Sequence, residues 1–95
     1  MLVVNGQRRV ARLTLGALAE LEDALEEPSL VALVERFEGN GFSSRDVLLL
    51  LAAGLRAGGT EVSAETLAQA EIEGGPVVAA QAAAELLARA FVVPV

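Results

Sequence analysis

The side chains able to do chemistry in this sequence are carboxylates, guanidinium groups and unactivated hydroxyls. Glu22-Asp23 and Glu26-Glu27 place carboxylates one helical turn apart, a spacing at which a hard cation could sit. No nearby loop adds the further oxygen ligands such an ion requires, so these residues read as the solvated face of a helix. Glu71 and Glu73 are two positions apart, and on a helix they would not face one another as an acid–base pair must. Arg8, Arg9 and Arg12 form the only basic cluster. It suits an acidic partner, the acidic helix of a second copy, or plain solvation.

What is missing narrows the chemistry further. The chain has no His, so the usual general base and the commonest transition-metal ligand are absent. It has no Cys, which removes disulfides, thiolate nucleophiles and thiolate zinc sites. The pairs Gly58-Gly59 and Gly74-Gly75 match no phosphate-binding loop, since neither precedes a Lys-Ser/Thr or belongs to a GxGxxG run. The expectation is a protein that is not an enzyme and that uses no cofactor and no metal.

The elements that carry these residues follow from the pattern. Ninety-five residues, 54% of them hydrophobic, suffice for one domain and one core. The only aromatics are three Phe, so that core is aliphatic. Leu2-Val3-Val4, Asn5-Gly6 and Gln7 to Leu13 read as a β-hairpin, because Asn-Gly accepts the positive φ angles of a tight two-residue turn. A lone hairpin is marginal in water and must pack on helices or pair its edge. Thr14 caps a helix over 15–25 with Leu15, Leu18, Leu21 and Leu25 on one stripe. Beyond Pro28, Ser29 caps a second helix carrying Leu30, Leu33, Val34 and Phe37, which Gly39-Asn40-Gly41 ends.

Ser43 and Asp46 have capping-box spacing and open a third helix to about Ala57. Its run Val47-Leu48-Leu49-Leu50-Leu51 is apolar all round, so the helix is either central or an interface. Gly58 is expected at its C-terminal end and Gly54 at a close helix crossing. Ser63 caps a short helix over 64–71, and Pro76 starts a last one to about Phe91. Along that helix Gln81, Glu85 and Arg89 fall on one polar stripe, with Glu85 and Arg89 spaced for an ion pair. The fold class is therefore mainly α, a hairpin (1–13) and about five short helices in a compact bundle (14–91), with a short apolar tail (92–95) in a single domain over 1–95.

Function classes follow from charge and apolar content. A net charge of −6 argues against nucleic acid, where Lys and Arg must neutralise phosphates. The polar stripe of the last helix argues against a membrane span, and the N-terminus is too short and uncharged for a signal peptide, so cytoplasm is the expected location. A small domain this rich in Leu, Val and Ala should leave a contiguous apolar patch exposed, which marks an interaction surface. The third helix and the tail are the candidates, through Val47, Leu48, Leu51, Leu55, Phe91, Val92 and Val93.

The segment Leu13-Thr14-Leu15-Gly16-Ala17-Leu18-Ala19-Glu20-Leu21-Glu22 resembles the signature of a small family from gene transfer agents and related phages. The resemblance continues through Leu30 to Leu33, Glu35-Arg36-Phe37, Phe42 to Val47 and Ala53 to Gly59, and covers about Gly6 to Phe91. It implies a non-enzymatic tail protein, either a tail tube protein or an assembly chaperone that coats a helical tape measure and recruits tube subunits. Apolar helical faces and an acidic, solubilising surface suit the chaperone. The implied partners are the tape-measure protein, the tail tube protein, or both, with a second copy of the chain also a candidate. The finished particle then becomes an alternative location to the cytoplasm. A structural subunit of the tube itself is the first alternative; tube subunits are expected to be β-rich and to form rings by edge pairing. A small adaptor or regulatory domain unrelated to phage is the second.

Overall fold

A computed structural model describes residues 2–39 and 42–90. Leu2–Val4 (β1) and Gln7–Arg9 (β2) pair antiparallel with Val4 opposite Gln7. Asn5 (φ 51°) and Gly6 (φ 78°) make the turn, both in the left-handed region that Asn-Gly tolerates. Among the described residues five helices follow: α1 (Leu15–Leu25), α2 (Leu30–Glu38), α3 (Ser44–Ala57), α4 (Ala64–Ala68) and α5 (Gly75–Ala90). The chain is mainly helical with an N-terminal hairpin, as its pattern implies.

The caps are those expected. Thr14 accepts from the Ala17 amide, Ser29 from Ala32 and Ser63 from Thr66. Ser43 and Asp46 form a reciprocal capping box at the start of α3. Helix α3 is the axis of the fold, packed on α1, α4 and α5. Its residues Leu50 to Leu55 are buried along with Leu18, Leu21, Leu25, Leu33 and Leu67. Of the predicted α1 stripe, Leu15 departs and is 74% exposed. It is the first helical residue, and Ala17 faces the core in its stead.

Three boundaries differ from the sequence pattern, for physical reasons. Strand β2 stops at Arg9 instead of continuing to Leu13. The next residues lie extended against the C-terminal half of α3, where the Arg12 amide donates to the Gly54 carbonyl at 2.9 Å. A Cβ on Gly58 would stand 2.0 Å from the Val10 carbonyl oxygen, so this glycine is required by space. Its own φ of −83° is ordinary, and the positive φ at the helix end falls on Gly59. Gly54 is likewise crowded by Leu86 of α5 and by Ala11 and Arg12, so the crossing there is shared between a helix and an extended arm.

Helix α4 ends at Ala68, short of the expected Glu71. The chain then turns to pair with β1. Asn5 donates its amide to the Glu71 carbonyl (2.7 Å), the Glu71 amide donates to Asn5 Oδ1 (2.8 Å), and the Glu73 amide donates to the Val3 carbonyl (3.1 Å). Val4 and Ile72 form the resulting bridge. The hairpin thus gains partners on its outer edge that it could not supply for itself. Helix α5 begins at Gly75, one residue earlier than expected, and is described to Ala90. Gln81, Glu85 and Arg89 are exposed as a stripe, but Glu85 and Arg89 do not reach ion-pair distance.

Candidate interaction surface

The surface of interest is built at the start of α3. Gly39 ends α2 and the Ser43–Asp46 capping box starts α3. Phe37, on the last turn of α2, lies against Phe42, just ahead of α3. Their rings stack with centroids 5.8 Å apart and planes 22° from parallel. Phe42 is still 40% exposed.

Two grooves diverge from Phe42. The larger, about 550 Å³, lies between the first half of α3, the end of α4 and the start of α5. Its walls include Phe42, Val47, Leu48, Ile72 and Val77, and among the described residues no ionisable side chain lines it. Val77 is 67% exposed on its rim. The smaller, about 190 Å³, runs between α2 and the later turns of α5, past Val34, Phe37, Ala84 and Leu87, with Glu38 its one charged wall. The two share Phe42, Val47 and Ala80. They exist because α5 faces this side with alanines, whose short side chains do not fill the gap to α2 and α3. Such a surface can cover apolar area on another molecule.

The expected contact residues divide. Val47 and Leu48 are partly exposed and line the larger groove. Leu51 and Leu55 are 0% and 1% exposed and belong to the core, although Leu51 also lines the larger groove. The reason is the position of α3: helices pack on three sides of it, and only its first turns reach the grooves. Phe91, Val92 and Val93 lie outside the described residues. Phe42 and Val77 escaped the sequence reading as contact residues. The signal available was the spacing of Phe37 and Phe42 on either side of Gly39-Asn40-Gly41.

Beneath the grooves, the structure assembles a polar cluster from residues that looked unrelated. Among the described residues Asp46 is the only buried charged one, its side chain 2% exposed. Arg36 grips it with both forks, Nε donating to Oδ2 at 2.8 Å and Nη2 to Oδ1 at 2.9 Å. The Ser43 amide also donates to Oδ2, at 3.0 Å. The third nitrogen of Arg36 donates to Glu27 Oε1 (2.8 Å) and the Leu25 carbonyl (3.3 Å), tying the end of α1 to α2 and α3. Burial alone would push the Asp46 carboxyl up. The Arg36 bonds, with those of Ser43, outweigh it and hold the group below the usual carboxylate range. Arg36 is in turn pushed well above its ordinary value by its bonds to Asp46 and then Glu27.

This frame positions an apolar groove on a small acidic helical domain, as a protein-binding role requires. A family model described as phage tail tube protein, GTA-gp10, matches residues 1–92. The chain belongs to that family. No curated protein and no solved structure matches it. The GTA-gp10 tail tube family is a structural one in phage-like particles and no known class of enzyme. As a member of it, this chain has a structural role in a phage-like tail. Among the described residues, no helix is long and apolar enough to cross a membrane.

Proposed function

We propose that this GTA-gp10 family member acts as a tail assembly chaperone that covers an amphipathic helix of the tape-measure protein, or apolar surface of tail tube subunits, in the grooves flanking Phe42. The observation that carries the reading is the larger groove, uncharged and about 550 Å³ in volume. An apolar helix face docks into such a channel through side chains at i, i+3, i+4 and i+7. Val47 and Leu48 are the contact residues expected from the sequence, and Phe42 and Val77 join them. Co-expression with the tape-measure protein tests this. The chaperone should keep the tape measure soluble and co-purify with it, and replacing Phe42 and Val77 by Ser should abolish both effects. Failure of the unaltered protein to co-purify or to rescue solubility would sink the proposal.

The family description favours a second reading, that of a structural subunit of the tube. The outer edge of β2 supports it, since among the described residues no strand covers that edge. Against it stands the small amount of sheet among the described residues: two strands of three residues and one bridge. Mass spectrometry of purified particles separates the readings, because a tube subunit is present in many copies and a chaperone is lost on completion.

A further inference from the structure

The charge of this chain is divided between two places. Residues 1–19 contain Arg8, Arg9 and Arg12 and no acid, while residues 20–27 contain Glu20, Glu22, Asp23, Glu26 and Glu27 and no Arg. Within the fold, Glu20 is neutralised by Arg56 and Glu27 by Arg36. Among the described residues Glu22, Asp23 and Glu26 have no such partner, and Arg45 on the first turn of α3 pairs with none of them. Arg8 and Arg12 are exposed and pair with no carboxylate among the described residues.

The two patches cannot neutralise each other within one molecule. The basic arm lies on the C-terminal half of α3, with Arg12 bonded to Gly54 and Val10 against Gly58. The acidic end of α1 is fastened to the opposite end of α3, through Leu25, Glu27 and Arg36 to Asp46. Eight to twelve residues of helix separate these anchor points, roughly 12–18 Å along the axis. Nor does the β2 edge suit pairing with its own copy, because that would set Arg8 and Arg9 of one strand against those of the other.

We propose that the β2 edge and the arm after it dock on the acidic face of α1 of a second copy, giving head-to-tail association of the chain. Arg8 and Arg12 of one copy meet Asp23 and Glu26 of the next. The contact uses different patches on the two partners, so it propagates into a ring or an open row. It leaves the apolar grooves free and does not depend on what fills them.

Charge reversal tests this with the full-length protein in sedimentation velocity. The unaltered chain associates in low salt and dissociates in molar salt. The variant Arg8→Glu/Arg12→Glu and the variant Asp23→Arg/Glu26→Arg should each self-associate roughly tenfold or more weakly. All four positions are exposed, so circular dichroism should show both variants folded. An equimolar mixture of the two should associate again, because the reversed arm of one variant complements the reversed helix of the other. A monomeric wild-type chain in low salt, reversed variants that associate as well as wild type, or folded variants whose mixture stays monomeric would each overturn the proposal.

Discussion

Asp46 and Val47 are consecutive residues on α3, yet their side chains meet opposite surroundings. Asp46 turns inward to Arg36 and Ser43, and every buried polar side-chain atom among the described residues has a hydrogen-bond partner. Val47 turns toward two grooves in which apolar atoms face open space. One helical turn thus separates a region whose interactions are complete from one whose interactions are not. The complete region can be disturbed only at the expense of the fold. The incomplete one can be altered with little effect on the fold, and that is where a partner can act. Stability and binding should therefore map to different residues only a few ångströms apart.

The largest expected effect comes from leaving Asp46 charged and alone. Arg36→Leu removes both forks from a carboxylate that is 2% exposed, and breaking such a pair costs about 3 kcal/mol. That is the low end for buried pairs, since Arg36 keeps 30% of its side chain in water. Urea denaturation would measure it. Adding Asp46→Asn to this variant should recover part of the loss, because the uncompensated charge is then gone. A loss under about 0.5 kcal/mol, the size of an ordinary surface change, would mean the cluster is no more than a surface feature.

Acid should separate the two regions in the same order. The Asp46 carboxyl titrates below its unfolded value of about 3.9, so its contribution is fully present above that pH. It is lost as the pH falls through the lower folded value, because protonation releases the Arg36 bonds. Wild-type stability should therefore drop in this acid range more steeply than that of Asp46→Asn. Parallel pH curves for the two proteins would contradict the assignment. Ser43→Ala comes next, at about 1 kcal/mol for a lost N-cap, read as a lower denaturation midpoint with an unchanged slope.

The helices were legible in the sequence because their signals are local. Thr14, Ser29, Ser43 and Ser63 each cap the helix that follows them, and Pro28 lies in the break between α1 and α2. The cluster was not legible. Arg36 and Asp46 sit ten residues apart on different helices, and Glu27 looked like one more member of a solvated acidic face. Only the tertiary fold, which sets the last turns of α2 beside the first turn of α3, brings them together. The Ile72 bridge to Val4 was hidden similarly, since a three-residue segment is too short for any periodicity. Burial of Leu51 and Leu55 was the same difficulty seen from the apolar side. A run that is apolar in all directions does not reveal which turns the neighbouring helices leave uncovered.

The smallest expected effect on stability is also the one that matters most for function. Replacing Phe42 and Val77 together by Ser shortens two side chains that are 40% and 67% exposed, so little area returns to water. The Phe37–Phe42 stack is lost, which is worth about 0.5–1.5 kcal/mol at a well-packed site and less at this open one. The denaturation midpoint should therefore move less than it does for Ser43→Ala. Binding of a hydrophobic dye and capture of the tape-measure protein should both fall sharply. If this double variant unfolds as readily as Arg36→Leu, the groove is part of the core and the contrast between the two regions collapses. If it remains stable and still captures the tape measure, the contrast in stability stands but the binding surface lies elsewhere. A stable, well-folded protein that no longer captures its client would place recognition on Phe42 and Val77, next to a charged cluster that serves only to hold α3 in place.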